Sequence, residues 1–200
     1  MMKTLKKLTR TWLIQITVMV SLVLFAVNLQ AANFKVNMKV SSDGSALDIT
    51  SDMPADQRCS ANLVPPPVKG CMRVKDRPLF RTAHMTFGLP DSVACGANGR
   101  GTWKLREVYL GGQDKSVKPG ASYNWGDLSP EVQADFDVNN PVSGLLNNAS
   151  QGKKNLKIKN KNKSKYTIWY KVVAKCMDGN NEIGGSIETD PRIENEGKPN

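Results

Sequence analysis

The 200-residue sequence contains a single histidine, His84, and this scarcity argues against most hydrolytic mechanisms. A Ser-His-Asp or Cys-His apparatus needs a histidine as its base, so His84 is the one residue that could serve. A blue-copper site needs two histidines and a thiolate, which this chain cannot supply. A glycine-rich phosphate loop and a His-Glu-x-x-His motif are also absent. We therefore expect no catalytic residue, no cofactor and no metal site.

His84 itself lies in a short segment, Thr82–Thr86, in which polar and apolar residues alternate. The alternation predicts a strand that turns His84 to its polar face together with the two threonines. The carboxylates are scattered, and neither the segment Asp135–Asp137 nor Glu107 forms a pair of the kind that indicates a glycosidase. These observations favour a protein that is not an enzyme.

Long apolar runs are missing as well, apart from one near the start. Residues 1–31 contain four basic side chains near the start and then the largely apolar run Trp12 to Val27, and the small residues Ala31 and Ala32 offer a cleavage site. This order is typical of a cleaved secretory signal peptide. An uncleaved anchor is the alternative, but the run is shorter than the roughly 20 apolar residues that a spanning helix needs. The mature protein is thus predicted to be periplasmic or secreted, with no membrane span.

Cysteine is scarce too, and its four copies all follow the leader. No Cys-x-x-Cys pair occurs, which disfavours zinc. In an exported chain an even number of cysteines indicates disulfides, here with three possible pairings. The short, proline-stiffened loop between Cys59 and Cys71 favours that pair and leaves Cys95 with Cys176. The second bridge closes a long loop, which stabilises a fold by about 4 to 5 kcal/mol in the chain-entropy model.

Helical periodicity is nearly absent, whereas strict alternation of apolar and polar residues, as in Phe34–Val40, is frequent. We predict a single β-sandwich over 32–190, with immunoglobulin-like and copper-free cupredoxin-like Greek keys both compatible. A loop-rich insertion over 113–152 includes one short helix near 130–137, and residues 191–200 are predicted to form a flexible tail. The predicted strands are 34–40, 46–50, 72–75, 79–87, 103–110, two within 155–176, and 186–189.

The positive charge is concentrated in one place. Without the leader, the chain carries 24 Lys and Arg against 18 Asp and Glu, a net charge of +6. The segment Lys153–Lys175 holds nine lysines, no arginine and no acid, so the rest of the chain is slightly acidic. Seven of these lysines fall on a predicted hairpin, namely Lys153, Lys154, Lys157, Lys159, Lys161, Lys163 and Lys165.

Two hypotheses account for these lysines. They bind a polyanion such as lipid phosphate, an acidic glycan or nucleic acid, although the lack of arginine disfavours bidentate phosphate recognition. Alternatively, they keep an exposed sheet edge from pairing with other chains. The aromatic residues Trp103, Tyr109, Tyr123 and Trp125 suggest a further binding surface, a platform for carbohydrate.

The functional prediction is therefore an exported, non-enzymatic β-sandwich of the cell envelope that acts as a binding or interaction module. Its expected partner is an envelope protein or an anionic surface. A structural subunit of an envelope assembly, which lends or accepts a strand, is the alternative.

Overall fold

The computed structural model describes residues 32–64, 66–67, 69–75, 82–120, 123–136 and 145–197, with residues 145–151 described by their backbone alone. The predicted signal peptide, residues 1–31, lies outside these ranges. Within them one α-helix is present, α1 (Pro130–Asp135), and no helix has the length and apolar character needed to cross a membrane. The strands of the described residues are β1 (Ala32–Val40), β2 (Leu47–Ile49), β3 (Met72–Val74), β4 (Ala83–Gly88), β5 (Ala94–Cys95), β6 (Gly101–Gly111), β7 (Leu145–Lys153), β8 (Asn155–Asn160), β9 (Lys165–Asp178), β10 (Asn181–Thr189) and β11 (Arg192–Glu196).

These strands form two mixed sheets that pack together, which confirms the predicted all-β sandwich. The smaller sheet has the order β2-β1-β4-β8, in which β1 runs parallel to β4. In the seven-stranded sheet the long strand β9 is central. Strand β6 pairs with one side of β9. On the other side, β11 pairs with the first part of β9 and β10 pairs with the last part. Strand β3 pairs with β11, while β5 and β7 pair with β6.

The core between the sheets follows from the alternating sequence. In β1, Phe34, Val36 and Met38 are buried, whereas the residues between them face outward. Strands β4 and β8 repeat this pattern, and β9 contributes its own inward-facing residues. The rings of Phe87 in β4 and Tyr170 in β9 lie with their centroids 5.3 Å apart, so the two sheets are in direct contact. Each large apolar side chain buried in this way stabilises the fold by roughly 1.5 to 3 kcal/mol.

Both predicted disulfides are confirmed. The Cα atoms are 5.5 Å apart in Cys59–Cys71 and 5.8 Å apart in Cys95–Cys176. The second bridge links β5 to β9, and Cys71 directly precedes β3, so both bridges lie in or beside the seven-stranded sheet. Two disulfides indicate that the domain folds in an oxidising compartment.

The lysine-rich segment contains the two predicted strands, but the prediction that they form a hairpin is wrong. Strands β8 and β9 belong to different sheets, so residues 161–164 cross from one sheet to the other. The buried carboxylate of Asp135, at the end of α1, holds this crossover. The carboxylate accepts hydrogen bonds from the backbone N–H groups of Lys163 at 2.9 Å and Ser164 at 3.0 Å. The backbone carbonyl of Asp135 accepts the N–H of Lys161 at 2.6 Å. The backbone groups that would close the turn of a hairpin therefore form their hydrogen bonds with Asp135.

The prediction of a flexible tail over 191–200 is also wrong for the part that the structure describes. Residues Arg192–Glu196 form β11, which pairs with both β9 and β3. The polar composition was misleading because several polar side chains are buried with partners. The Arg192 guanidinium lies over the Trp169 ring, with its carbon 5.1 Å from the ring centroid, and donates a hydrogen bond to the Val64 carbonyl at 3.1 Å.

The insertion over 113–152 contains the predicted short helix. The Ser129 hydroxyl caps α1 by accepting the N–H of Val132 at 3.4 Å, and Pro130 occupies the first turn. The same insertion also includes all but the last residue of β7, a strand that the abundant Gly, Asn and Ser residues did not indicate.

Candidate functional site

The outward face of the four-stranded sheet carries four lysines on two of its strands. Strand β1 turns Lys35 and Lys39 outward, and β8 turns out Lys157 and Lys159, because their neighbours in sequence are buried in the core. Lys35, Lys39 and Lys157 are exposed, and Lys159 is half-buried. We call these four residues the lysine face.

The strand register brings residues from distant parts of the chain into rows across this face. One row is Lys35, Thr86 and Lys157, in which the two lysines lie on either side of β4. Since neighbouring strands are about 4.8 Å apart, the Cα atoms of these two lysines are separated by about 10 Å. The next row joins Lys159 to His84 and Asn33.

The charge on this face is almost entirely of one sign. Among the outward positions of β1, β2, β4 and β8, all of which the structure describes, Asp48 in β2 is the one carboxylate. Asp48 lies directly opposite Lys39 in the β1–β2 pair, so it is remote in register from Lys157 and Lys159. His84 is exposed, as predicted, between Asn33 and Lys159.

The seven lysines singled out in the sequence do not form one surface. Lys157 and Lys159 belong to the lysine face, and Lys153 and Lys154 are exposed at the junction of β7 and β8. The other three lie in the crossover or at the start of β9. The Lys161 ammonium donates to the Ala134 carbonyl at 3.2 Å. Lys163 is exposed in the crossover, and Lys165 is exposed at the start of β9.

Sequence reasoning missed Lys35 and Lys39 as members of a basic surface. Their spacing of four in an alternating strand does place both on one face of β1. What the sequence could not supply is the strand order, which puts β1 and β8 on opposite sides of β4.

The four aromatic residues suggested as a carbohydrate platform do not share an exposed surface. Trp103 and Trp125 pack against the hydrophobic core, and Tyr123 is buried. The Tyr123 hydroxyl donates to Asp190 at 3.0 Å, and burial, followed by the nearby Asp190 carboxylate, raises the pKa of this tyrosine. Burial and a hydrogen bond to Glu107 likewise raise the pKa of Tyr109.

A polar cleft opens at the side of the sandwich, between β2 and the turn from β10 to β11. It has a volume of about 590 Å³. We call it the β2 cleft, and its lining residues are Lys39, Leu47, Asp48, Ile49, Thr50, Lys69, Thr189, Asp190 and Pro191. A second cleft of about 330 Å³ borders the Cys59–Cys71 disulfide and shares Lys69 with the first. Lys69 therefore lies where the two clefts meet.

Within the described ranges, no three His, Cys, Asp or Glu residues come together as candidate metal ligands. Comparison with known proteins gives no match, either to a family model or to a curated protein of similar sequence. The lysine face and the β2 cleft are the surface features of the described residues on which a function can be proposed.

Proposed function

We propose that this protein is an exported, non-enzymatic binding module of the cell envelope, and that its lysine face binds a polyanion. The observation that carries the proposal is the register across β4. It places Lys35 opposite Lys157, with no carboxylate between them. The two lysines lie in one row on either side of β4, so an anionic ligand that spans this row contacts both positive charges.

The chemistry of the face favours a ligand with repeated, weakly discriminated charges. Lysine ammonium groups act as compact point charges, without the planar fork with which arginine recognises a single phosphate. Groups about 10 Å apart on the face of a sheet suit an extended polymer or a charged surface better than a small anion. Lipid phosphate, acidic glycan and nucleic acid share this chemistry.

The alternative is that the lysines protect the sheet edge. Strand β8 pairs with β4 on one side only, apart from a single bridge between Asn160 and Phe136, so it is the edge strand of its sheet. Charged side chains on edge strands prevent pairing with other chains. This alternative accounts for Lys157 and Lys159 but gives no role to Lys35, which lies on an inner strand.

A pair of triple variants separates the two. In the first, Lys35, Lys157 and Lys159 are replaced by Gln. In the matched control, the exposed residues Lys115, Lys163 and Lys165, which lie outside the four strands, are replaced by Gln. Both variants lose three positive charges. Binding is measured to heparin, to vesicles containing phosphatidylglycerol and to a single-stranded oligonucleotide, each over a range of salt concentrations.

We expect the first variant to reduce the slope of log affinity against log salt by about 2 to 3, because each lost contact releases one counterion fewer. The control should leave the slope nearly unchanged, and the three probes identify the source of the anion. An equal decrease of the slope in the two variants would show that binding depends on net charge and not on the lysine face. Unchanged binding with increased light scattering in the first variant would instead support protection of the edge.

A further inference from the structure

We propose that the β2 cleft accepts an extended segment of a partner protein, which adds a strand to the edge of β2 and places an acidic side chain beside Lys69. The cleft shares Lys39 with the lysine face, but this interaction does not depend on polyanion binding there. It rests on three features of the cleft: the direction of the β2 backbone, the anchoring of Lys69 and the balance of charge.

The first feature is the backbone of β2. The N–H of Thr50 bonds to the Asn37 carbonyl at 2.9 Å, and the N–H of Ser41 bonds to the Ala46 carbonyl at 3.0 Å. In an antiparallel pair, hydrogen-bonded and non-hydrogen-bonded positions alternate, so Asp48 is the next hydrogen-bonded position of β2. The N–H and C=O groups of Leu47 and Ile49 therefore point away from β1, toward the β2 cleft.

These groups form the kind of edge that extended peptides use to join a sheet. In strand addition, main-chain hydrogen bonds supply affinity, and pockets for alternate side chains supply specificity. Strand β2 is the last strand on its side of the four-stranded sheet. The opposite wall of the cleft is formed by Thr189, Asp190 and Pro191, where β10 turns into β11.

The second feature is the position of Lys69, which is fixed by its neighbours. Lys69 lies two residues before Cys71, whose disulfide to Cys59 closes the loop. The next residue, Gly70, has a φ of 82°, and its carbonyl accepts the hydroxyl of the buried Tyr170 at 2.8 Å. A Cβ atom at Gly70 would lie 2.2 Å from Cδ1 of Ile49, so the loop is in close contact with β2. Lys69 is thereby anchored beside the strand edge.

The third feature is the charge. On the far wall, Asp190 forms an ion pair with Lys118 and accepts the Tyr123 hydroxyl. Asp48 lies opposite Lys39 in the β1–β2 pair. Among the described residues, no carboxylate lies within ion-pair distance of the Lys69 ammonium. An acidic side chain in an incoming strand would match this charge, which is why we assign an acidic, extended partner segment.

A library of displayed random dodecapeptides tests this assignment when it is selected against the intact protein. We expect the selected peptides to contain an acidic residue within an alternating, strand-forming pattern. Amide hydrogen exchange should then slow at Leu47 and Ile49 when peptide binds, whereas Asp48, already bonded to β1, changes little. The variant Lys69→Glu should weaken binding at least tenfold, and the control Lys115→Glu should not.

Several results would overturn the proposal. They are failure to select any peptide, protection of amides elsewhere than at the β2 edge, or equal binding to the wild type and to Lys69→Glu. The polyanion experiments use different residues and probes, so a failure here leaves the interpretation of the lysine face unaffected, and the reverse also holds.

Discussion

On the outer face of the seven-stranded sheet, each of two lysines of β9 lies beside a glutamate, whereas on the four-stranded sheet Lys35 and Lys157 lie on either side of an uncharged threonine. The Lys171 ammonium is 3.4 Å from Glu188 and 4.8 Å from the centroid of the Tyr123 ring. The Lys175 ammonium is 3.0 Å from Glu182 and 3.7 Å from Glu107. In the seven-stranded sheet these two lysines of β9 form ion pairs with glutamates, whereas the outward positions of the four-stranded sheet carry the single carboxylate Asp48.

The covalent links follow the same division. Both disulfides lie in or beside the seven-stranded sheet, and the four strands of the smaller sheet contain no cysteine. The larger sheet thus combines cross-links with matched charges. The smaller one depends on its buried face, so its outer face can carry like charges without unfolding the domain. The disulfides and the proposed polyanion-binding surface therefore lie on different sheets.

The largest effect is expected from removing the covalent links. Replacing Cys95 and Cys176 together with Ser should lower the free energy of unfolding by about 4 to 5 kcal/mol, because the bridge closes a loop with a sequence separation of 81. Replacing Cys59 and Cys71, whose separation is 12, should cost less, about 3 kcal/mol. Urea unfolding under non-reducing conditions measures both. The reverse ranking would contradict the chain-entropy account, in which the longer closed loop gives the larger stabilisation.

A somewhat smaller effect is expected at the crossover that separates the two sets of lysines. Asp135→Ala removes the acceptor of the Lys163 and Ser164 amides, and we expect a loss of about 3 kcal/mol, since buried donors are left without partners. The matched control is Asp91→Ala, at an exposed carboxylate, which should change the stability by less than about 0.5 kcal/mol. Equal urea midpoints for the two variants would show that Asp135 does not hold the crossover.

The smallest effect is expected when the lysine face is made to resemble the other sheet. Thr86→Glu introduces a carboxylate between Lys35 and Lys157, and we expect it to stabilise the fold by about 0.5 kcal/mol relative to Thr86→Gln, which adds a side chain of the same size without charge. The gain should disappear at 1 M salt, where charges are screened. The same variant should bind heparin more weakly than Thr86→Gln. Retention equal to that of the Gln variant would argue against a ligand at this row.

Most of the strands could be predicted because burial on one face imposes a period of two on the sequence. The strand β1 is an example. The disulfides could be predicted as well, because the short loop favours Cys59–Cys71 and leaves Cys95 with Cys176. The strand β11 could not be found in this way. Its burial depends on contacts with β3 and β9 that are invisible in a short polar sequence.

The candidate site was only half predictable for a related reason. Charge density along the chain identified Lys157 and Lys159, but it also included Lys163 and Lys165, which the crossover removes from that face. Lys35 and Lys39 joined them through strand order, a long-range property. No sequence pattern indicated the β2 cleft, because the cleft depends on the distance between the edge of one sheet and a turn of the other.

The position of β9 in the chain has a consequence for the timing of folding. This central strand pairs with β6, which precedes it, and with β10 and β11, which follow it, while β11 also supplies the only sheet partner of β3 within the described residues. Strand pairings between distant parts of a chain form slowly, because long loops must close first. The seven-stranded sheet can be completed only after residue 196 is available. The proposed export would therefore carry the chain across the membrane mostly unfolded, and the domain would acquire its structure after the last strand has crossed.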